Sequence, residues 1–560
     1  MNRIFFISDY FYSTHLPFGG AERCDDVLLQ ELLNKKYNDY KEYMTVFLQS
    51  HVLVPEVIDK NSDATFFISN FKRLSEECKS KLIEANVDYI IVEHDHKYLK
   101  SDNPLTHKNM LSNVDGLQNV EFFKNARAVL CQSTYASEIL YKNLSLRNLI
   151  NLKGNLWSNE NIDALRNTLA ASKPVGERSL KWSILNSRNK NKGISETIEY
   201  CVKKNINFNT IGHKDWNEFI KQIATTDGVI FFPSWVETFN RFVVEARVLN
   251  CKIMSNSKVG CINDGWLNYK GEALLEQMGI MKSRIFDIYE NLILNKDVDF
   301  FKVEMPRVTI MTTFVDAEEH IEGYLDSIVN QTIFEDIDLL IYDAASTKKE
   351  AEIISIYTEK YPNIKHIRDE NKIGSSEAFN KMINLSENEY IGMIMIDDRP
   401  APHYAEILRR YIHFSNKDLV YGDCVQTYSS NSMIEESFYE ASNLYEHSRN
   451  DFSRENMIKC QPGPMPMFRK SMIDKNGGFD QNFKHSNDWE LWLRCVDSGS
   501  SFMKVKSRVG LYYFNPEGVT TSPENFKSKI REEASLFMKY RNVIGEANFN
   551  KYKKYFSQGL

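Results

Sequence analysis

A chain of 560 residues with 42% hydrophobic and 26% charged side chains has the composition of a folded globular protein and more length than one core organises, so about two to four folding units are expected. Its net charge of −7 argues against a dominant nucleic-acid footprint, which shows as a basic excess. No apolar run reaches the roughly 18 residues of a membrane span, the run Ile4 to Ile7 is too short for a signal-peptide core, and the nine cysteines include no C-x-x-C pair that would suggest a disulfide ladder or zinc site, so the cytoplasm is the expected compartment.

Strand-length apolar runs alternate with helical patterns from the start: RIFFIS, a helix from about Glu22 to Asn34, DYIIVEH and a helix, then AVLCQS and TYASEILYKNL. Alternation of this kind predicts parallel sheets covered on both faces. A second round opens with KWSILNS near Lys181, followed by a helix around Ile194 to Lys203, GVIFFPS, and a helix from about Phe242 to Leu249. Helical pattern returns from Arg284 to Leu294, and the charged stretch Asn295 to Arg307 reads as a linker.

A third alternation begins at PRVTIMTTF: helix to Asn330, strand DLLIYD, helix to Tyr361, strand HIRD, helix Ser375 to Leu385, strand YIGMIMID. Short strands and Gly/Pro turns such as QPGPMP and NGGFDQ follow, then a helix from Pro523 to about Tyr540 and the basic-aromatic tail NKYKKYF. The expected fold class is α/β. Residues 1–160 and 161–296 form two Rossmann-like halves of one unit, residues 306–522 a single nucleotide-binding domain, and residues 523–560 a closing helix and tail.

Two segments carry the chemistry. In PSWVETFNRFVVEA, Pro233 to Ala246, Glu237 stands at a strand-to-helix turn and Glu245 about two turns into the helix. Gly19 and Gly20 precede a helix, so backbone N–H groups there approach a phosphate without a Cβ in the way. Arg188, Lys192 and Gly193 follow SILNS and lead into another helix. Cations and helix N-termini suit a diphosphate, and carboxylates suit ribose and sugar hydroxyls. His94 and His96 alternate in VEHDH at strand spacing; one facing an acceptor competes with the commoner structural role of strand-end histidines.

These features resemble glycosyltransferase family 4 over roughly Met1 to Leu294: a GG loop, an R…KG element and an E-x7-E element in that order. The resemblance implies a retaining centre on two Rossmann domains of the GT-B type. Gly19 and Gly20 would form the acceptor-side and phosphate loop, Arg188 and Lys192 would hold the diphosphate, Glu237 the donor sugar and Glu245 the ribose. Where that family has glycine-rich residues after the first Glu, this chain has Thr238-Phe239-Asn240-Arg241.

The second segment pairs Asp397 and Asp398, after the apolar run IGMIMI, with Asp488 in SNDWELWLR. A metal-bridged diphosphate needs a carboxylate near a strand end, and acceptor activation needs a base. Asp488 opens an amphipathic helix, a position that favours its ionised form. The aromatic stripe Trp489, Trp492 and Leu493 reads as core.

This part resembles glycosyltransferase family 2 over about Pro306 to Val519, through VTIMTTFVDAEEHIEGYLDSIVNQT, LLIYDAAST, the stretch into MIMIDD, and GGFDQNFKHSNDWELWLRCVDSG. The resemblance implies an inverting GT-A domain that uses a divalent metal (Mn or Mg). Asp343 would bind the nucleoside, Asp397 and Asp398 metal and ribose, and Asp488 would be the base, with Glu490 a secondary candidate. The chain departs from the family at Met395-Ile396-Asp397-Asp398, at Asp343-Ala344-Ala345-Ser346 and at Thr313-Phe314-Val315, so the donor base or the metal dependence differs from the family's common pattern.

The expected protein is a bifunctional transferase that moves sugars from nucleotide-sugar donors to a glycan or glycoconjugate acceptor. Two alternatives stay open. One is a DNA-base-modifying glycosyltransferase, disfavoured because only RNKNKG and KYKKYF are basic clusters; the other is one catalytic unit beside a non-catalytic glycan- or nucleotide-binding unit.

Overall fold

A computed structural model of the chain describes residues 2–11, 19–30, 43–434 and 450–557. Its contacts separate a first unit, Met1–Val303, from a second, Glu304–Leu560. The division falls within the stretch read as a linker.

The first unit holds two parallel sheets. One comprises β1 (Asn2–Ser8), β2 (Tyr43–Gln49), β3 (Thr65–Ile68), β4 (Asp88–Glu93), β5 (Ala128–Cys131) and β6 (Leu149–Asn151), in the order β2-β1-β3-β4-β5-β6. Its central strands β4 and β5 are buried on both faces, which is why they read as unbroken apolar runs. The other sheet comprises β7 (Leu180–Leu185), β8 (Asn209–Ile211), β9 (Thr226–Phe231) and β10 (Lys252–Ser255), in the order β10-β9-β7-β8.

Some details differ from expectation. The first helix starts at Gly20 and is regular to Val27; the stretch from residue 31 to 34 lies outside the described residues. In place of one helix after β4 there are three single turns and the short helix Val120–Asn125. The helix expected from Arg284 spans Gly271–Ile293.

The second unit is built on one mixed eight-stranded sheet: β11 (Val308–Phe314), β12 (Ile337–Ala344), β13 (Ile364–Asp369), β14 (Tyr390–Met393), β15 (Arg399–Pro400), β16 (Leu419–Thr427), β17 (Met467–Arg469) and β18 (Phe502–Tyr513). The order is β13-β12-β11-β14-β17-β16-β18-β15. The first four strands are mutually parallel, and β17 enters antiparallel to both β14 and β16.

Helices Ser375–Leu385 and Asn487–Asp497 share one core with the closing helices Phe526–Lys539, Arg541–Ile544 and Glu546–Phe556. Phe537 stacks on Phe556 with ring centroids 4.2 Å apart, so Phe556 of the basic tail faces inward. Among the described residues no helix is long and apolar enough to cross a membrane.

Candidate active sites

In the first unit the turn after β9 carries Glu237, and the rest of the unit orients it. Lys192 Nζ lies 2.9 Å from both Glu237 carboxylate oxygens, and Asn240 Nδ2 donates to Oε2 at 3.0 Å. Asn240 adopts φ +86° and caps helix Arg241–Val248 by accepting from Val243 N at 3.0 Å. It occupies a left-handed position where glycine is the usual solution and asparagine a tolerated one. Gly193, at φ +63°, lies so close to the Phe232 carbonyl that a Cβ would sit 2.0 Å from it. That approach keeps the Lys192 loop against the end of β9.

The same turn is docked on the first sheet. Thr238 Oγ1 donates to the His94 carbonyl at 2.8 Å, and Ser133 Oγ donates to the Thr238 carbonyl at 2.5 Å. A Cβ on Gly20 would lie 3.4 Å from Arg241 Cδ, so the GG turn, the ends of β4 and β5, and the Glu237–Glu245 element meet. Arg188 is exposed on the loop after β7.

Glu245 is 2% exposed and engaged by the chain's own groups. Its Oε1 accepts from the Trp157 indole at 3.0 Å and the Trp216 indole at 3.2 Å, with Arg241 Nε at 3.5 Å. Arg241 also lies over the Trp157 ring, 4.6 Å from its centroid. The sequence reading missed Arg241, Trp157 and Trp216. The one signal was the departure from glycine inside the E-x7-E element.

Both candidate histidines are buried. His94 Nε2 lies 3.5 Å from Asp25 Oδ1; burial works against its charged form, but the Asp25 carboxylate outweighs this and raises its pKa. His96 has φ +57° and its Nδ1 is 2.9 Å from the Tyr98 hydroxyl. Burial pushes it from the ordinary 6.5 to about 4, so it is neutral at physiological pH.

In the second unit Asp343, one residue before the end of β12, has no exposed surface. It accepts from Ser346 N at 2.8 Å and from Arg368 Nη1 at 2.5 Å, with His366 Nε2 at 3.7 Å. Across from it, after β11, Asp316 at φ +52° accepts from Thr347 N at 2.7 Å and Oγ1 at 2.9 Å. These bonds, the backbone one first, hold its carboxyl below the usual range.

Asp397 and Asp398 do not follow a strand directly. β14 ends at Met393, and the acids lie in the turn before β15, closed by Asp398 N to the Met395 carbonyl at 3.1 Å. The apolar run continued past the strand because Ile394 and Ile396 are buried in the turn itself. Asp398 is 2% exposed and accepts from Tyr513 N at 3.0 Å. Burial, and then the Asp397 charge, push its carboxyl well above the usual range. Asp397 remains half-exposed. Of the pair, it is the one with surface to offer a cation.

Asp488 is the second residue of helix Asn487–Asp497. Cys460 Sγ donates to its Oδ2 at 3.1 Å, and Trp489 N donates to Oδ1 at 2.7 Å. The helix position was expected to favour the ionised form; burial outweighs it and raises the pKa, which suits a group that must take a proton. Burial and the charges of Asp398, Asp397 and Asp488 together push the Tyr512 phenol upward.

Glu490 turns the other way. It is 1% exposed and binds Arg494 Nη2 at 2.7 Å and the Tyr540 hydroxyl at 2.9 Å. Cys460, Tyr512 and Arg368 were not found from sequence, since an isolated cysteine, tyrosine or arginine carries no spacing signal.

Among the described residues no group of three or more His, Cys, Asp or Glu forms a metal cage. Half-exposed Asp397 still fits the common alternative, in which a divalent ion takes one or two carboxylates and completes its shell with substrate phosphates and water.

Residues 309–477 match the profile of Glycosyl transferase family 2, so the second unit holds a glycosyltransferase domain of that family. An uncharacterized glycosyltransferase, MJ1057 of Methanocaldococcus jannaschii, is 25% identical over 234 residues, 41% of this chain and 77% of its own. Hyaluronan synthase of Pasteurella multocida is 24% identical over 224 residues, 40% of this chain and 22% of its own. The poly(ribitol-phosphate) beta-glucosyltransferase of Bacillus spizizenii is 32% identical over 114 residues, 20% of this chain and 18% of its own. The chain thus spans less than a quarter of the length of the latter two. Among solved structures, S. aureus TarS with UDP-GlcNAc aligns with TM-score 0.36 and 15% identity, covering 45% of this chain and 72% of the other.

Proposed function

We propose that this chain moves sugars from nucleotide-sugar donors to a glycan or glycoconjugate acceptor, and that its second unit performs an inverting transfer. The family match over residues 309–477 carries this reading, with half-exposed Asp397 in the turn before β15 and Asp488 at the start of helix Asn487–Asp497. Asp488 would take the proton of the acceptor hydroxyl as that oxygen bonds to the anomeric carbon, while the bond from that carbon to the nucleoside diphosphate breaks on the opposite face. Asp397 would hold a divalent ion, which supplies positive charge to the departing diphosphate. Asp343, fixed by Arg368, would order the nucleoside end of the pocket.

For the first unit we propose a second, retaining donor centre, in which Lys192 and Arg188 take the diphosphate, Glu237 the sugar, and Gly19 and Gly20 line the phosphate loop. Lys192 would exchange Glu237 for phosphate when donor enters. Glu245 would reach a ribose only by releasing the half-buried Trp216 indole. That engagement of Glu245 favours a second reading, in which the first unit holds a nucleotide or glycan without turnover.

Nucleotide release from UDP-glucose, UDP-N-acetylglucosamine and GDP-mannose tests both. The intact chain, Asp488→Asn and Glu237→Gln are compared with and without a chelator. Two centres predict that the substitutions silence different donors and that only the Asp488-dependent release needs metal. If Asp488→Asn silences all release and Glu237→Gln changes none, the first unit does not turn over. Full release by Asp488→Asn would overturn the base assignment.

A further inference from the structure

Glu532 lies on helix Phe526–Lys539, beyond the last residue of the family match. Its carboxylate accepts three consecutive backbone N–H groups: Lys484 to Oε1 at 2.9 Å, His485 to Oε2 at 2.8 Å and Ser486 to Oε2 at 3.0 Å. Successive amides converging on one anion form a nest, and here the anion is a side chain of the chain itself. Such charge-assisted bonds are stronger than neutral ones.

Where the nest stands gives it a consequence. Ser486 immediately precedes helix Asn487–Asp497 and makes no side-chain capping bond, so the helix entry is fixed from outside. Ser528, one turn before Glu532, adds a contact of 2.8 Å from Oγ to His485 Nε2. On the far side of Asp488, the Tyr540 hydroxyl binds buried Glu490 at 2.9 Å. Asp488 is two residues from each tie, and its carboxylate feels the charge of Lys529 on the same closing helix.

We infer that Glu532 is a positioning residue for the transfer reaction: it holds the 484–486 turn so that Asp488 stands at a fixed place, with Tyr540 holding the same helix from the other side. This rests on the assignment of Asp488 as the base. Displacing a reacting group by about 1 Å costs on the order of a hundredfold in rate, so the loss falls on kcat rather than on donor binding.

The test uses the full chain with Glu532→Ala, Glu532→Gln, Tyr540→Phe and Asp488→Asn. It measures kcat and donor KM with whichever of UDP-glucose, UDP-N-acetylglucosamine and GDP-mannose the parent turns over, the thermal midpoint, and hydrogen exchange of the 484–486 amides. Glu532→Ala is expected to lower kcat tenfold or more, leave donor KM within twofold and speed exchange of the three amides. Glu532→Gln, which keeps one accepting oxygen and the side-chain shape, is expected to fall between and carries the test if the alanine variant does not fold.

Unchanged exchange at these amides in Glu532→Gln, or a kcat within twofold of the parent in Glu532→Ala, overturns the proposal. So does a loss in kcat that is matched by KM and the thermal midpoint in both Glu532 variants, which is a general loss of structure. Activity retained by Asp488→Asn instead overturns the base assignment, and is read independently of the exchange data.

Discussion

The Cys460 thiol donates a hydrogen bond to Oδ2 of Asp488 across 3.1 Å, joining the Gly/Pro turn before β17 to the proposed base. A donor to a carboxylate favours its charged form, so this bond opposes the burial that raises the Asp488 pKa. Cys460→Ala is expected to shift the acid limb of the pH–rate profile for nucleotide release to higher pH, with a loss of about two- to tenfold at its acid end. Cys460→Ser, which keeps a donor, is expected to follow the parent. An unshifted limb in the alanine variant would remove the thiol from the account.

Arg241 and Glu245 form a buried pair in the first unit, and removing one member strands the other. Glu245→Ala also leaves the Trp157 and Trp216 indoles without their acceptor. The expected cost is about 3–5 kcal/mol, read as a lower denaturation midpoint of the first unit. Glu245→Gln keeps a carbonyl for the indoles and is expected to cost less, about 1–3 kcal/mol. In a double-mutant cycle with Arg241→Leu, the two losses are expected to sum to more than the loss of the double variant.

The alternation that predicts parallel α/β units was legible because β5, β9 and β11 are buried along their whole length, and β4 along all but its first residue, and so read as apolar runs. The short, largely exposed strand β8 gave no such signal. The strand before Asp397 was read too long because a buried turn is as apolar as a strand, and periodicity does not separate them. Residue types and order sufficed to nominate Glu237, Asp397 and Asp488. What escaped was pairing across long separations: Arg241 over Trp157, Cys460 on Asp488 and Glu532 on the 484–486 amides depend on tertiary contact alone.

His96 gives the first unit an acid-sensitive term. Its folded pKa, about 4, lies below the ordinary 6.5. Above pH 6.5 neither state carries the proton and the residue contributes no slope. As pH falls toward 4 the unfolded chain binds the proton first and stability drains, by about 3 kcal/mol in full. His94 has the opposite sign: held up by Asp25, it contributes stability below its unfolded pKa that is lost as pH rises through the folded one. The readout is therefore the difference between the parent and His96→Asn, asparagine being tolerated at φ +57°. The variant is expected to lose less stability than the parent between pH 7 and pH 5 in urea midpoints. An identical slope in both would place the acid sensitivity elsewhere.

Asp397 and Asp398 are adjacent in sequence and unequal in environment, so their substitutions are expected to differ in kind. Asp397 is half-exposed, and Asp397→Asn removes the charge available to a cation while leaving the turn intact. It is expected to lower nucleotide release by on the order of a hundredfold or more and to move the metal concentration needed for half-maximal rate upward, with the thermal midpoint unchanged. Asp398 has its Oδ1 on the Tyr513 amide and a pKa raised by burial, so it is more easily protonated than an ordinary carboxylate. Asp398→Asn retains a carbonyl for that amide and places no charge in the buried turn. It is expected to leave the metal requirement near the parent's and to flatten any loss of stability on raising the pH through the folded pKa, because the group gives stability when protonated and loses it on ionising. If Asp398→Asn instead reproduces the metal shift of Asp397→Asn, the two carboxylates act on the cation together and the turn must open to admit it.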